Sequence, residues 1–102
     1  MEFDQTEFTA NFTGSHLDDT GFVYVPHICQ EPTRSCRLHT HIHGCGLGRV
    51  FLNTTYAQGI GILEWAAPND MIVLFPQVNN DTATLGGCWD LVGYTGEHFI
   101  DQ

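Results

Sequence analysis

The sequence predicts an α/β fold, part of a mostly parallel sheet with one or two helices, and three observations carry that expectation. Met71-Ile72-Val73-Leu74-Phe75 is a continuous apolar run closed by Pro76, the pattern of a strand buried on both faces. Arg37 to His43 alternates strictly, as a half-buried strand does. The order strand, strand, helix, strand leaves room for one crossover.

Residues 1–20 are polar and rich in Thr and Asp, with Phe3, Phe8 and Phe12 as isolated hydrophobes. Phe8 to Phe12 reads as a short strand or an extended arm, and Thr20-Gly21 as a turn. Phe22-Val23-Tyr24-Val25 is β-branched and aromatic and stops at Pro26, so it reads as a strand. Cys29 to Cys36 encloses a hairpin-like loop. A disulfide across so short a span would constrain the unfolded chain by about 2.5 kcal/mol. In the alternating strand Leu38, Thr40 and Ile42 face one side, and His39, His41 and His43 the other. Gly44, Gly46 and Gly48 then form a flexible loop. Phe51 to Ala67 is the best helical stretch; Gly59 and Gly61 predict a broken helix, and Pro68-Asn69-Asp70 ends it. A polar loop, Gln77 to Gly87, leads to Cys88-Trp89.

The chain has 102 residues and 42% apolar composition, enough for one small packed domain. A complete α/β enzyme needs about twice this length, so the length favours a compact β-rich domain or a fragment. Three arginines, no lysine and twelve carboxylates give a formal net charge of -9. Nucleic acid and anionic membrane surfaces are poor partners for that balance. No apolar run approaches the roughly 20 residues of a membrane-spanning helix. The start, Met1-Glu2-Phe3-Asp4, lacks the basic and apolar regions of a signal peptide. The interior nevertheless reads as exported. Asn11, Asn53 and Asn80 begin N-glycosylation sequons, and four cysteines are compatible with two disulfides in any of three pairings. An exported interior without a signal predicts a truncated N-terminus.

The densest chemical constellation is His39-Thr40-His41-Ile42-His43-Gly44-Cys45. One reading is a zinc site on a β-rich domain, using alternating imidazoles. Neighbours on one strand face lie roughly 7 Å apart, so one ion could take two of these histidines without strain. A second reading is a strand entering a Gly-rich active-site loop at its carboxyl end, where α/β sheets place ligands. A third is simply two half-buried histidines, His39 and His41, with ordinary partners. No nucleophile stands out. Ser15 and Ser35 are the only serines, and neither lies in a Gly-x-Ser-x-Gly elbow. Cys45 beside His43 is the only thiol candidate, and a disulfide suits it better.

Several motifs stand in the order and near the spacing of a known family: Glu2-Phe3-Asp4-Gln5, Leu17-Asp18-Asp19-Thr20-Gly21-Phe22-Val23-Tyr24-Val25-Pro26, Cys29…Cys36-Arg37-Leu38-His39, His43-Gly44-Cys45, Trp65-Ala66, Ile72-Val73-Leu74-Phe75-Pro76-Gln77 and Gly87-Cys88-Trp89-Asp90. Together they resemble the extracellular poly(3-hydroxybutyrate) depolymerases, specifically the C-terminal region of the circularly permuted type, over nearly the whole chain. The resemblance implies a partial α/β-hydrolase fold in one partial domain, with 1–20 as an arm and 21–102 as the sheet and oxyanion-loop region. It implies a secreted carboxylic-ester hydrolase whose Ser, Asp and His precede this region, with no cofactor and an ester or polyester substrate met through the missing part. The backbone N–H of Cys45 would complete the oxyanion hole, His43 and Gly44 would shape the approach, and Trp89 would contact substrate. Cys29–Cys36 and Cys45–Cys88 would be the disulfides. His41 departs from the family, which has a small or apolar residue there. The Gln77–Gly87 loop is shorter than in many relatives. A non-catalytic secreted binding module is the alternative that the absent triad motivates.

Overall fold

The computed structural model describes residues 1–102. Its centre is a four-stranded sheet in the order β1-β2-β4-β3. The strands are β1 (Glu2–Asp4), β2 (Thr20–Tyr24), β3 (Arg37–Thr40) and β4 (Met71–Phe75). The sheet is mixed rather than mostly parallel. β1 and β2 pair antiparallel, as do β2 and β4, and only β3 runs parallel to β4. Connection length explains this. The 37–40 and 71–75 strands are joined by a helical crossover, which a parallel pair requires, whereas residues 5–19 return β2 alongside β1.

The helices differ from expectation too. Instead of one or two, there are four one-turn helices: α1 (Thr6–Thr9), α2 (Arg49–Leu52), α3 (Thr55–Gly59) and α4 (Ile62–Ala66). The break anticipated at Gly61 is present, with that glycine at φ 83°, a left-handed value that suits a residue without Cβ. A second break at Asn53, φ 54°, had no glycine to announce it. Residues 1–20 are not an extended arm. Glu2–Asp4 forms an edge strand, and the Asp4 carboxylate accepts hydrogen bonds from the Thr6 N–H and hydroxyl, which starts α1 where a strand from Phe8 had been anticipated.

Strand alternation sorts the sheet into two unlike faces. Phe22, Val73 and Phe75 turn to one face, where Ala57 of α3 and Ala66 of α4 close a small core with Tyr24, Ile62, Leu63 and Met71 packed around it. The two alanines let the helices approach closely. On the opposite face Phe3, Phe8, Leu17, Val23, Leu74 and Pro76 line an open apolar cleft of about 440 Å³. Leu38 and Ile42 are exposed. No helix is long and apolar enough to cross a membrane.

A candidate anion-binding loop

The loop lies where β3 ends. His41 N–H still donates to the Leu74 carbonyl at 2.8 Å, extending the ladder one residue past the strand. The chain then leaves the sheet, and the expected alternation through His43 does not continue. His39 and His41 stay neighbours, with ring centroids 6.2 Å apart. His41 packs on Phe75 and bonds the Tyr56 hydroxyl at 3.1 Å. Burial pushes the His41 imidazole below its ordinary value, and the nearby His39 and His43 add to the effect. His43 instead turns into the loop and is 3% exposed. The three imidazoles do not converge, and no group of three His, Cys, Asp or Glu side chains is placed to hold a metal ion.

His43 makes a bond at each ring nitrogen. The Val78 N–H donates to Nε2 at 3.2 Å, and Nδ1 lies 2.7 Å from the Gly44 carbonyl. Both are satisfied together only by a neutral ring with its proton on Nδ1. The indole N–H of Trp89 donates to the His43 carbonyl at 3.0 Å, and the two rings lie 5.6 Å apart. Gly44 and Cys45 are exposed. The Cys45 N–H donates to no acceptor in the protein, on an exposed residue of a loop that is fixed on several sides.

Covalent fixation comes from Cys45–Cys88, with Cα atoms 4.2 Å apart, and Cys29–Cys36 is bridged as well. Both bridges suit an oxidising compartment. The Tyr94 hydroxyl donates to the Cys88 carbonyl, holding the far end of the first bridge.

A polar cluster behind the loop completes its support. Asp18, 6% exposed, accepts both Nε and Nη2 of Arg49 at 2.6 and 2.7 Å. The hydrogen bonds to Asp18 hold the guanidinium above its ordinary range, and burial opposes them. The Arg49 N–H donates to Gln77 Oε1 at 2.7 Å. The Gln5 amide bridges the carbonyls of Asp18 and Gln77 and accepts from the Gln77 N–H. No buried side-chain nitrogen or oxygen is left without a partner. Asp18, Arg49, Gln5 and Gln77 were not singled out as functional from sequence. A signal did exist: with three arginines among twelve carboxylates, each guanidinium has a surplus of potential partners. Arg34 pairs with Asp70, and Arg49 with Asp18.

The serines offer no nucleophile. Ser15 is buried and its hydroxyl accepts the Leu17 N–H, while Ser35 is exposed inside the Cys29–Cys36 loop. His16 and Asp81 form a 2.7 Å pair, and neither serine hydroxyl is hydrogen-bonded to an imidazole. Asn11, Asn53 and Asn80 are all exposed.

A mixed sheet with a helical crossover and a bridged Gly-rich loop at a strand's carboxyl end make a small α/β arrangement of the kind found in α/β-hydrolase-like proteins. Known proteins show the same likeness. The chain is 35% identical to a poly(3-hydroxybutyrate) depolymerase from Delftia acidovorans over 97% of its own length and 19% of that protein's. It is 31% identical to a polyhydroxybutyrate depolymerase from Talaromyces funiculosus over 88% of its length and 30% of the relative's. The crystal structure of PHB depolymerase from Penicillium funiculosum superposes with a TM-score of 0.86 at 31% identity, covering 100% of this chain and 34% of the other. A serine-to-alanine variant of PHB depolymerase complexed with an R3HB trimer gives 0.84 at 31% identity, over 94% of this chain and 33% of its own. No protein-family model matches. The chain is thus similar to poly(3-hydroxybutyrate) depolymerases over nearly all of its own length, and spans between about a fifth and a third of the length of these relatives.

Proposed function

We propose that this chain supplies the anion-stabilising loop of a secreted carboxylic-ester hydrolase acting on hydroxyalkanoate polyesters, with the nucleophile carried outside these 102 residues. The observation that carries the reading is the Cys45 N–H: unpartnered, exposed, and fixed by a disulfide and by hydrogen bonds at His43 and Gly44. A donor held in place before reaction stabilises the developing alkoxide without reorganising, and such a donor is typically worth about 3 kcal/mol of barrier. The chemistry would be acyl transfer through a serine ester, the serine's neighbour giving the second N–H. A relative bound to an R3HB trimer supports a polyester as the substrate class. The two disulfides support secretion, and the exposure of Asn11, Asn53 and Asn80 is compatible with glycosylation there.

The test is a chimera in which this chain replaces the matching segment of the Talaromyces funiculosus relative. Hydrolysis of a soluble 3-hydroxybutyrate oligomer by the chimera is the expected result. A folded chimera, both disulfides formed, that turns over neither the oligomer nor a short-chain ester would remove the reading.

A further inference from the structure

We infer that His43 is a positioning residue that aims the Cys45 N–H, and that it does so only as the neutral ring protonated on Nδ1. The inference rests on the reading of Cys45 as the anion donor. The argument begins with the peptide bond. The Gly44 carbonyl and the Cys45 N–H belong to one planar trans peptide, so fixing the carbonyl oxygen fixes the N–H in the opposite direction. That oxygen lies 2.7 Å from His43 Nδ1. The same oxygen also accepts the Leu47 N–H at 3.2 Å, a longer bond than the one to His43, and Gly44 itself lies outside any helix or strand.

The imidazole is itself held. The Val78 N–H on Nε2 excludes a proton there and leaves it to Nδ1. Gly48 lies so close that a Cβ in its place would sit 2.8 Å from Nε2. Trp89 governs the preceding plane: its indole N–H takes the His43 carbonyl, which shares a peptide with the Gly44 N–H. The two successive peptides leading to the donor are thus each held by a side-chain N–H, the second with the Leu47 backbone N–H beside it. In this geometry Trp89 also acts through His43, so its indole nitrogen is engaged with backbone rather than free to meet a substrate.

Two measurements test this. The first is the tautomer of His43, read from side-chain nitrogen shifts in histidine-labelled protein, both the 102-residue chain and the chimera. A protonated Nδ1 with a bare Nε2 supports the inference; the opposite tautomer in either overturns it. The second is kinetics in the chimera. His43→Leu should lower kcat at least about tenfold, short of the 100-fold or more typical of losing an oxyanion donor outright, with KM for the soluble oligomer unchanged. His43→Asn keeps an amide donor near Nδ1 and should recover part of that loss, and Trp89→Phe should lower kcat rather than raise KM. A rise in KM with kcat preserved would overturn the inference and return these residues to substrate contact. The two failures are distinguishable. A kcat indifferent to all three substitutions overturns the positioning role of His43, whereas a folded chimera without turnover removes the reading of Cys45 on which it rests.

Discussion

The two disulfides should differ in worth, and the difference follows from the chain lengths they close. Cys45–Cys88 spans 43 residues, and on the chain-entropy account closing that span stabilises the fold by about 4 kcal/mol. Cys29–Cys36 spans 7, which gives about 2.5 kcal/mol. The prediction is that Cys45→Ala/Cys88→Ala destabilises the chain by about 1.5 kcal/mol more than Cys29→Ala/Cys36→Ala does. Urea unfolding of both double variants is the assay, run in sulfate so that the weaker one retains a folded baseline. Equal midpoints at equal slopes, or a larger loss from the short bridge, would refute the reasoning. Either would mean that native packing around Cys29 and Cys36, rather than the length of chain closed, sets the value of a bridge here.

Asp18→Asn should cost about 3 kcal/mol, because it leaves the half-buried Arg49 guanidinium without a charge partner, and a urea series measures it. Gly48→Ala should cost between about 1 and 3 kcal/mol, since the backbone there is ordinary but the added methyl would displace the His43 ring; an unchanged His43 ring signal in that variant would contradict it. For His41 the sign follows from its depressed value. Between the folded pKa and the ordinary 6.5 the unfolded chain binds more protons, so stability falls as pH drops through that window. His41→Phe should flatten that part of a stability–pH profile, and an unaltered slope would place the proton elsewhere.

Much of the fold was legible because local chemistry decided it. The Met71–Phe75 run and the Phe22–Tyr24 run are strands at the sheet's centre, paired Phe22 to Phe75. The sequence could not show their direction. An apolar run reads the same in a parallel or an antiparallel pair, and only the connection settles it. Asn53 illustrates a different gap: a left-handed residue other than glycine leaves no mark in composition. At the site, the pairings of all four cysteines came from resemblance alone, since four cysteines permit three arrangements. The His39–His43 alternation suggested a common face. The strand ends before His43, so the ring answers to Val78 and Trp89 instead. Contacts made across 35 residues of chain are invisible to any local period.

The sheet and the loop draw their rigidity from different sources, and this has a measurable consequence. Only 18 of 102 residues are buried, and one sheet face is only partly covered along Val23 and Leu74. The radius of gyration, 14.6 Å, exceeds the about 13 Å expected of a self-contained domain this size. β3 is an edge strand with all four residues exposed, so little apolar burial resists its opening. The loop that follows has fixings of its own away from that edge. It is held by the Cys45–Cys88 bridge, by Trp89, by Val78 and, behind it, by Arg49 and Asp18. The Val78 amide, which donates to His43, should therefore outlast the His41 amide, which donates to Leu74 at the strand's end, in native-state hydrogen exchange. Were His41 the slower of the two, the loop would be borrowing its order from the sheet, and the side-chain clamp around His43 would be a consequence of β3 pairing rather than its own source of order.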